Sequence, residues 1–124
     1  MDADKRYYSR YRTSLEGRVA TEKGVIFPVE IIDISGEGLR IKTDSQVNLN
    51  KGDIINVLIK WKSAIKGKAE IRWIKNEKYH TEFGVMFIEI DIPNREALAS
   101  LISEIALSNL SKLCLLYTSD AADE

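Results

Sequence analysis

The chain has 124 residues, which at roughly 100–200 residues per domain is room for one domain and one core rather than a multidomain machine. Hydrophobic residues at 44% and charged residues at 30% exclude a disordered or membrane-embedded composition. Eighteen Lys and Arg against nineteen Asp and Glu, a formal charge of −1, speak against a broad nucleic-acid-binding surface. A single cysteine, Cys114, and a single histidine, His80, leave no material for an internal disulfide, a thiolate zinc site or a histidine metal cluster. The start, Met1-Asp2-Ala3-Asp4-Lys5-Arg6, has no apolar stretch behind it and is not a secretory signal. Apolar runs such as Val57-Leu58-Ile59 stop at Lys60, far short of the ~20 residues of a membrane helix. A cytoplasmic protein without membrane insertion is expected.

From about residue 13 to 90 the pattern is that of short strands separated by turns. The first three candidates are Leu15–Ala20, Val25–Ile32 and Leu39–Lys42, divided by Glu22-Lys23-Gly24 and by Ser35-Gly36-Glu37-Gly38. Pro28 removes a ladder donor from the second, which predicts an edge strand or a bulge there. Ile55, Val57, Ile59 and Trp61 alternate with Asn56, Leu58, Lys60 and Lys62, Ala69, Ile71 and Trp73 alternate with Glu70, Arg72 and Ile74, and Phe83, Val85 and Phe87 repeat the period of two. Both tryptophans are in phase with these apolar faces and are assigned to the core. Lys60, Lys62, Lys66 and Lys68 read as a solvated hairpin tip, and His80 as an exposed polar residue. After Pro93 and Asn94, Leu98, Leu101, Ile102 and Ile105 fall on one helical face. Six strands followed by one amphipathic helix, with no βαβ alternation, predict a small all-β antiparallel barrel capped by a C-terminal helix.

Two segments carry chemistry beyond a scaffold. Lys5-Arg6-Tyr7-Tyr8-Ser9-Arg10-Tyr11-Arg12 interleaves cations with aromatics; arginine grips phosphate or the acceptor edge of guanine and stacks on a base, and tyrosine adds a stacking face. By itself the segment also reads as a solvated tail or a packing strap. Asp33-Ile34-Ser35-Gly36-Glu37-Gly38 sets a polar turn between two apolar strands. Asp33 can accept both the N1–H and the exocyclic amine of a guanine, Ser35 can donate or accept, and Gly38 permits close backbone approach or positive φ. By itself this too reads as an ordinary turn whose side chains bond their own backbone.

Together, Arg6-x-x-x-Arg10 and Asp33-x-Ser35-x-x-Gly38 resemble the two-part signature of the PilZ domain, a family of bacterial cyclic di-GMP receptors. Ile71-Arg72-Trp73 and Gly84-Val85-Met86-Phe87 are similar to two later strand elements of that family. The resemblance covers roughly residues 5–110 and implies a six-stranded antiparallel β-barrel of the split-barrel type with a C-terminal helix. It implies cyclic di-GMP as the ligand, with Arg6 and Arg10 on its phosphates and guanines and Asp33, Ser35 and Gly38 as the barrel side of the site. Lys5, where many members carry another arginine, and Gly36 are accessory candidates, and the Lys5 position leaves one bound ligand or a stacked pair open. Arg12 and Arg40 have no motif role and are assigned to surface solvation. The implied organisation is a flexible ligand-binding segment over 1–12, the barrel and helix over 13–113, and a tail over 114–124. The implied output is a signal to a protein effector in motility, biofilm or exopolysaccharide control, without catalysis and without a metal.

Alternatives are a PilZ-like module working only through protein contact and a small barrel binding single-stranded nucleic acid. Ser35 has no candidate base but the distant His80, and neither a dinucleotide fingerprint nor a phosphate-binding lysine loop is present. Cys114–Glu124 resembles the in-frame translation of a sequencing adaptor and is expected not to belong to the natural protein. It contributes Asp120, Asp123 and Glu124 and no base, so without it the balance becomes +2. Positive charge is concentrated locally in Lys5, Arg6, Arg10 and Arg12, as a small dianionic ligand requires.

Overall fold

The computed structural model describes residues 10–123, with side chains for 10–108. Six strands, β1 (Tyr11–Thr21), β2 (Ile26–Ile34), β3 (Gly38–Thr43), β4 (Ile54–Lys60), β5 (Ala64–Asn76) and β6 (Thr81–Glu89), precede one helix, α1 (Ile92–Asp123). All strand pairs are antiparallel and close a barrel in the order β1-β2-β3-β6-β5-β4. The expected six-stranded barrel with a C-terminal helix is the observed fold.

Closure follows from the alternation. Val19 of β1, Phe27, Val29 and Ile31 of β2, Leu39 and Ile41 of β3, Ile55, Val57 and Ile59 of β4, Ile65, Ala69 and Ile71 of β5, and Phe83 and Val85 of β6 are all buried in one core. Their neighbours face outward, as a period of two requires. Helix α1 supplies Leu98 and Leu101, 3% and 1% exposed, and each such leucine contributes about 1.5–3 kcal/mol by leaving water. Ile102 and Ile105 pack beside them. The helix start is fixed to the barrel: the Asn94 side-chain oxygen accepts the Lys66 backbone N–H at 2.9 Å, while its amide donates to Asp91. Pro93 sits in the first turn, where its missing N–H is no loss.

Several sequence expectations are corrected. Pro28 does not lie on an edge strand, because the barrel has no edge strand. It lies beyond the last β2–β3 pair, Glu30 with Lys42, and its carbonyl accepts the Thr43 hydroxyl at 3.0 Å. The hairpin tip between β4 and β5 is only Trp61–Ser63, so Lys66 and Lys68 belong to β5 itself. Asp33 is in β2, not in the turn.

Strict alternation also fails at two places. In β2, residues 27, 29 and 31 point inward, and the next buried residue is Ile34; the β2–β3 register shifts between Ile31 and Asp33. In β5, Ile65, Ala69 and Ile71 are buried while Trp73 is 37% exposed, and the β5–β6 register shifts between Ile71 and Trp73. Each bulge adds a residue to one strand and re-aims the side chains that follow.

Candidate functional site

The two bulges turn Asp33 and Trp73 out of the core, toward one side of the barrel. Arg12 pairs with Asp33, Asp33 with Arg40, Arg40 with Gly84, and Gly84 with Trp73. A single lateral row thus crosses five strands. Strict alternation would bury a carboxylate at position 33, which is costly without a charged partner; the bulge buries Ile34 in its place.

Beside this row, the β2–β3 turn is closed by Ser35. Its N–H donates to the Gly38 carbonyl at 3.0 Å. Its hydroxyl donates to the same carbonyl at 3.2 Å and accepts the N–H groups of Gly38 at 3.1 Å and Glu37 at 3.4 Å. Ser35 is 3% exposed, and its hydroxyl holds the turn. The turn is in turn fixed to β6, since the Phe87 N–H donates to the Glu37 carbonyl at 2.8 Å. Gly38 packs directly against the Val85 carbonyl with no room for a Cβ, whereas Gly36 faces open space. Close approach, not positive φ, is what Gly38 provides; among the described glycines only Gly24 and Gly52 have positive φ.

A narrow cleft of about 10 Å³ at this turn is lined by Arg10, Asp33, Ile34, Ser35, Gly38, Leu39 and Arg40. It brings one arginine of the first motif to the fixed residues of the second. Arg6 and Lys5 lie outside the described residues. Arg12 is exposed on β1, opposite Asp33.

Three residues were misread from sequence. Arg40, assigned to solvation, donates through Nε and Nη2 to Glu82 Oε1 at 3.2 and 2.8 Å and lies 5.9 Å over the Trp73 ring. Trp73, assigned to the core, lies outside it, lapped across Gly84, which has no side chain to obstruct the indole. Trp61 is half-buried against the core as expected, though from the β4–β5 turn. His80 is half-buried rather than exposed, with Nε2 at 3.4 Å from Glu82 Oε2. The hydrogen bonds from Arg40 hold the Glu82 carboxyl below the ordinary carboxylate range, helped by His80 and opposed by partial burial. The arrangement offers two arginines and a carboxylate around one cleft, with the partly exposed Trp73 indole beside Arg40. Among the described residues no group of His, Cys, Asp and Glu is placed to hold a metal ion, and no helix is long and apolar enough to cross a membrane.

No curated protein matches the chain by sequence. Among solved structures, the motility inhibitor MotI/DgrA of Bacillus subtilis is similar with a TM-score of 0.69 at 18% identity, over 85% of this chain and 51% of its own. MrkH of K. pneumonia is similar with a TM-score of 0.72 at 14% identity, over 88% and 52%. The PilZ domain of Escherichia coli YcgR, solved with c-di-GMP, is similar with a TM-score of 0.69 at 12% identity, over 86% and 95%. The chain therefore spans about half the length of MotI/DgrA and MrkH and nearly all of the YcgR domain. At such identities these likenesses establish the barrel and helix. The family model described as PilZ domain goes further, matching residues 4–104, both motifs included, and the chain belongs to the PilZ domain family.

Proposed function

We propose that this chain is a cyclic di-GMP receptor module. The observation that carries the reading is the cleft in which Arg10 meets Asp33, Ser35 and Gly38. A cyclic dinucleotide presents two phosphates and two guanines, and its recognition requires cations, flat surfaces and a carboxylate that reads guanine's two donors. Similar proteins support it: the YcgR domain and MrkH are each solved with c-di-GMP.

In this reading Arg6 and Arg10 take the phosphates and stack on the guanines, with Lys5 as an added cation. Asp33 accepts from a guanine. Ser35 keeps the turn closed so that the open backbone at Gly36 faces the ligand. The segment preceding Tyr11 folds over the ligand and gives a protein effector a new surface, in motility, biofilm or exopolysaccharide control. The module binds and signals without a catalytic step.

The deciding experiment is a calorimetric titration with cyclic di-GMP, with GTP and cyclic di-AMP as controls. Saturable binding to the first alone is the expected result, and no binding, or equal binding of all three, overturns the reading. Amide exchange across Arg6–Arg10 should slow on saturation; equal protection with and without ligand contradicts the folding step.

The outward Trp73 favours one other reading, a single-stranded nucleic acid surface. Asp33 and Glu82 flank Arg40 across the strands and would oppose a polyanion there. Salt separates the two, since a polynucleotide binds with a steep salt slope and one small dianion with a shallow one.

A further inference from the structure

We propose that Arg40 is a further contact for the cyclic dinucleotide, and that Glu82 holds it in reserve. The inference rests on the receptor reading above.

Arg40 borders the cleft with Arg10, Asp33 and Ser35, yet its guanidinium is directed elsewhere. Counting from the β2–β3 turn, the β3–β6 pairs run Gly38 with Met86, Arg40 with Gly84, and Lys42 with Glu82. Glu82, which holds the guanidinium, is therefore one outward-facing pair farther from the turn than Arg40 itself. Both donors, Nε and Nη2, go to the single oxygen Oε1, while Oε2 faces His80. A carboxylate gripping through one oxygen leaves unused the two-oxygen fork that arginine forms best. A phosphate bound over the cleft would offer that fork.

The guanidinium also covers part of the Trp73 ring. Transfer of Arg40 from Glu82 to a ligand phosphate would uncover the indole on the same side of the barrel. Glu82 competes with the ligand for one cation, so the ion pair sets affinity downward in the free protein. Lys42 and Lys75, the register neighbours of Glu82 on β3 and β5, are both cationic, and the Lys75 ammonium lies 3.2 Å from Glu77.

The test is a double-mutant cycle read by calorimetry with cyclic di-GMP on the full chain. Glu82→Gln is expected to tighten binding by about three- to tenfold, and Arg40→Ala to weaken it by about as much. The gain from Glu82→Gln must vanish in the Arg40→Ala background. A gain that persists there shows only the loss of a nearby negative charge and overturns the latch, as does unchanged affinity in Glu82→Gln. Those outcomes leave the receptor reading standing. Wild-type protein that fails to bind cyclic di-GMP overturns that reading, and the latch falls with it. Thermal unfolding of each variant separates loss of fold from loss of contact. Trp73 emission, read in a Trp61→Phe background, should change on ligand addition in wild type and start from the changed value in Glu82→Gln.

Discussion

Trp73 lies so close over Gly84 that a methyl group at position 84 would overlap the indole. The relationship joins β5 to β6 on the outer face and places the ring under Arg40. Gly84→Ala therefore cannot be accommodated with Trp73 where it is. The expected cost is about 1–3 kcal/mol, as for other overpacked sites, with the indole displaced toward solvent. Chemical denaturation gives the first quantity and a red-shifted Trp73 emission the second; an unshifted spectrum with full stability would show that the indole does not depend on the glycine.

Ser35 is a turn residue first. Ser35→Ala removes one donated and two accepted hydrogen bonds within a turn that is 3% exposed at that residue. With net hydrogen-bond values near 0.5–1.5 kcal/mol each and partial rescue by water, a loss of about 1–2 kcal/mol is expected. Cyclic di-GMP affinity should fall through displacement of the Gly36–Gly38 backbone. Ser35→Thr, which keeps the hydroxyl, should retain more of both than Ser35→Ala in parallel unfolding and titration measurements.

The alternation of β4 and the stripe Leu98, Leu101, Ile102 and Ile105 were legible because water sets both periods. Asp33 carried a decipherable signal as well. With Phe27, Val29 and Ile31 inward, an unbroken strand would bury its carboxylate, so a bulge is the economical solution. Trp73 gave no such warning, since an indole in phase with Ala69 and Ile71 is acceptable in a core. Only the pairing with Gly84 across the bulge exposes it, and pairing is not written in one strand. Arg40 was misread for the same reason: its partner Glu82 is forty-two residues away.

Arg10 reaches the cleft from the residue before β1 and Asp33 from β2, so their losses should be separable. Arg10→Ala and Asp33→Ala are each expected to weaken cyclic di-GMP binding at least about tenfold, about 1.4 kcal/mol, as loss of a charge-assisted hydrogen bond requires. Arg10 is exposed, and its removal should leave unfolding unchanged. Calorimetry showing unchanged affinity in both variants would remove these residues from the site.

The Glu82 carboxyl is held below the ordinary carboxylate range in the folded protein, first by Arg40. The folded state thus binds fewer protons here than the unfolded chain. The contribution is complete above the ordinary carboxylate range and is lost as pH falls through the lowered folded value. For a pair that is partly open to solvent it is about 0.5–1 kcal/mol. Wild type should exceed Glu82→Gln in stability by about that amount near neutrality, with the gap closing as the medium becomes acidic. Urea unfolding across that range tests the sign; a gap that widens on acidification contradicts it.

Gly36 and Gly38 share a turn but not a reason. A Cβ on Gly38 would strike the Val85 carbonyl, and backbone there cannot move aside without opening the β3–β6 ladder. A Cβ on Gly36 meets nothing within 4 Å, and its φ is not positive. Gly38→Ala should therefore destabilise the fold by about 1–3 kcal/mol. Gly36→Ala should be neutral or slightly stabilising, since alanine narrows the unfolded ensemble at no native cost. Binding reverses the comparison in one respect. If the ligand rests on the open backbone at Gly36, the added methyl intrudes on it while leaving the barrel intact, so Gly36→Ala should lower cyclic di-GMP affinity without lowering the melting temperature. Full affinity in Gly36→Ala would move the ligand off the turn and toward the row of Asp33, Arg40 and Trp73.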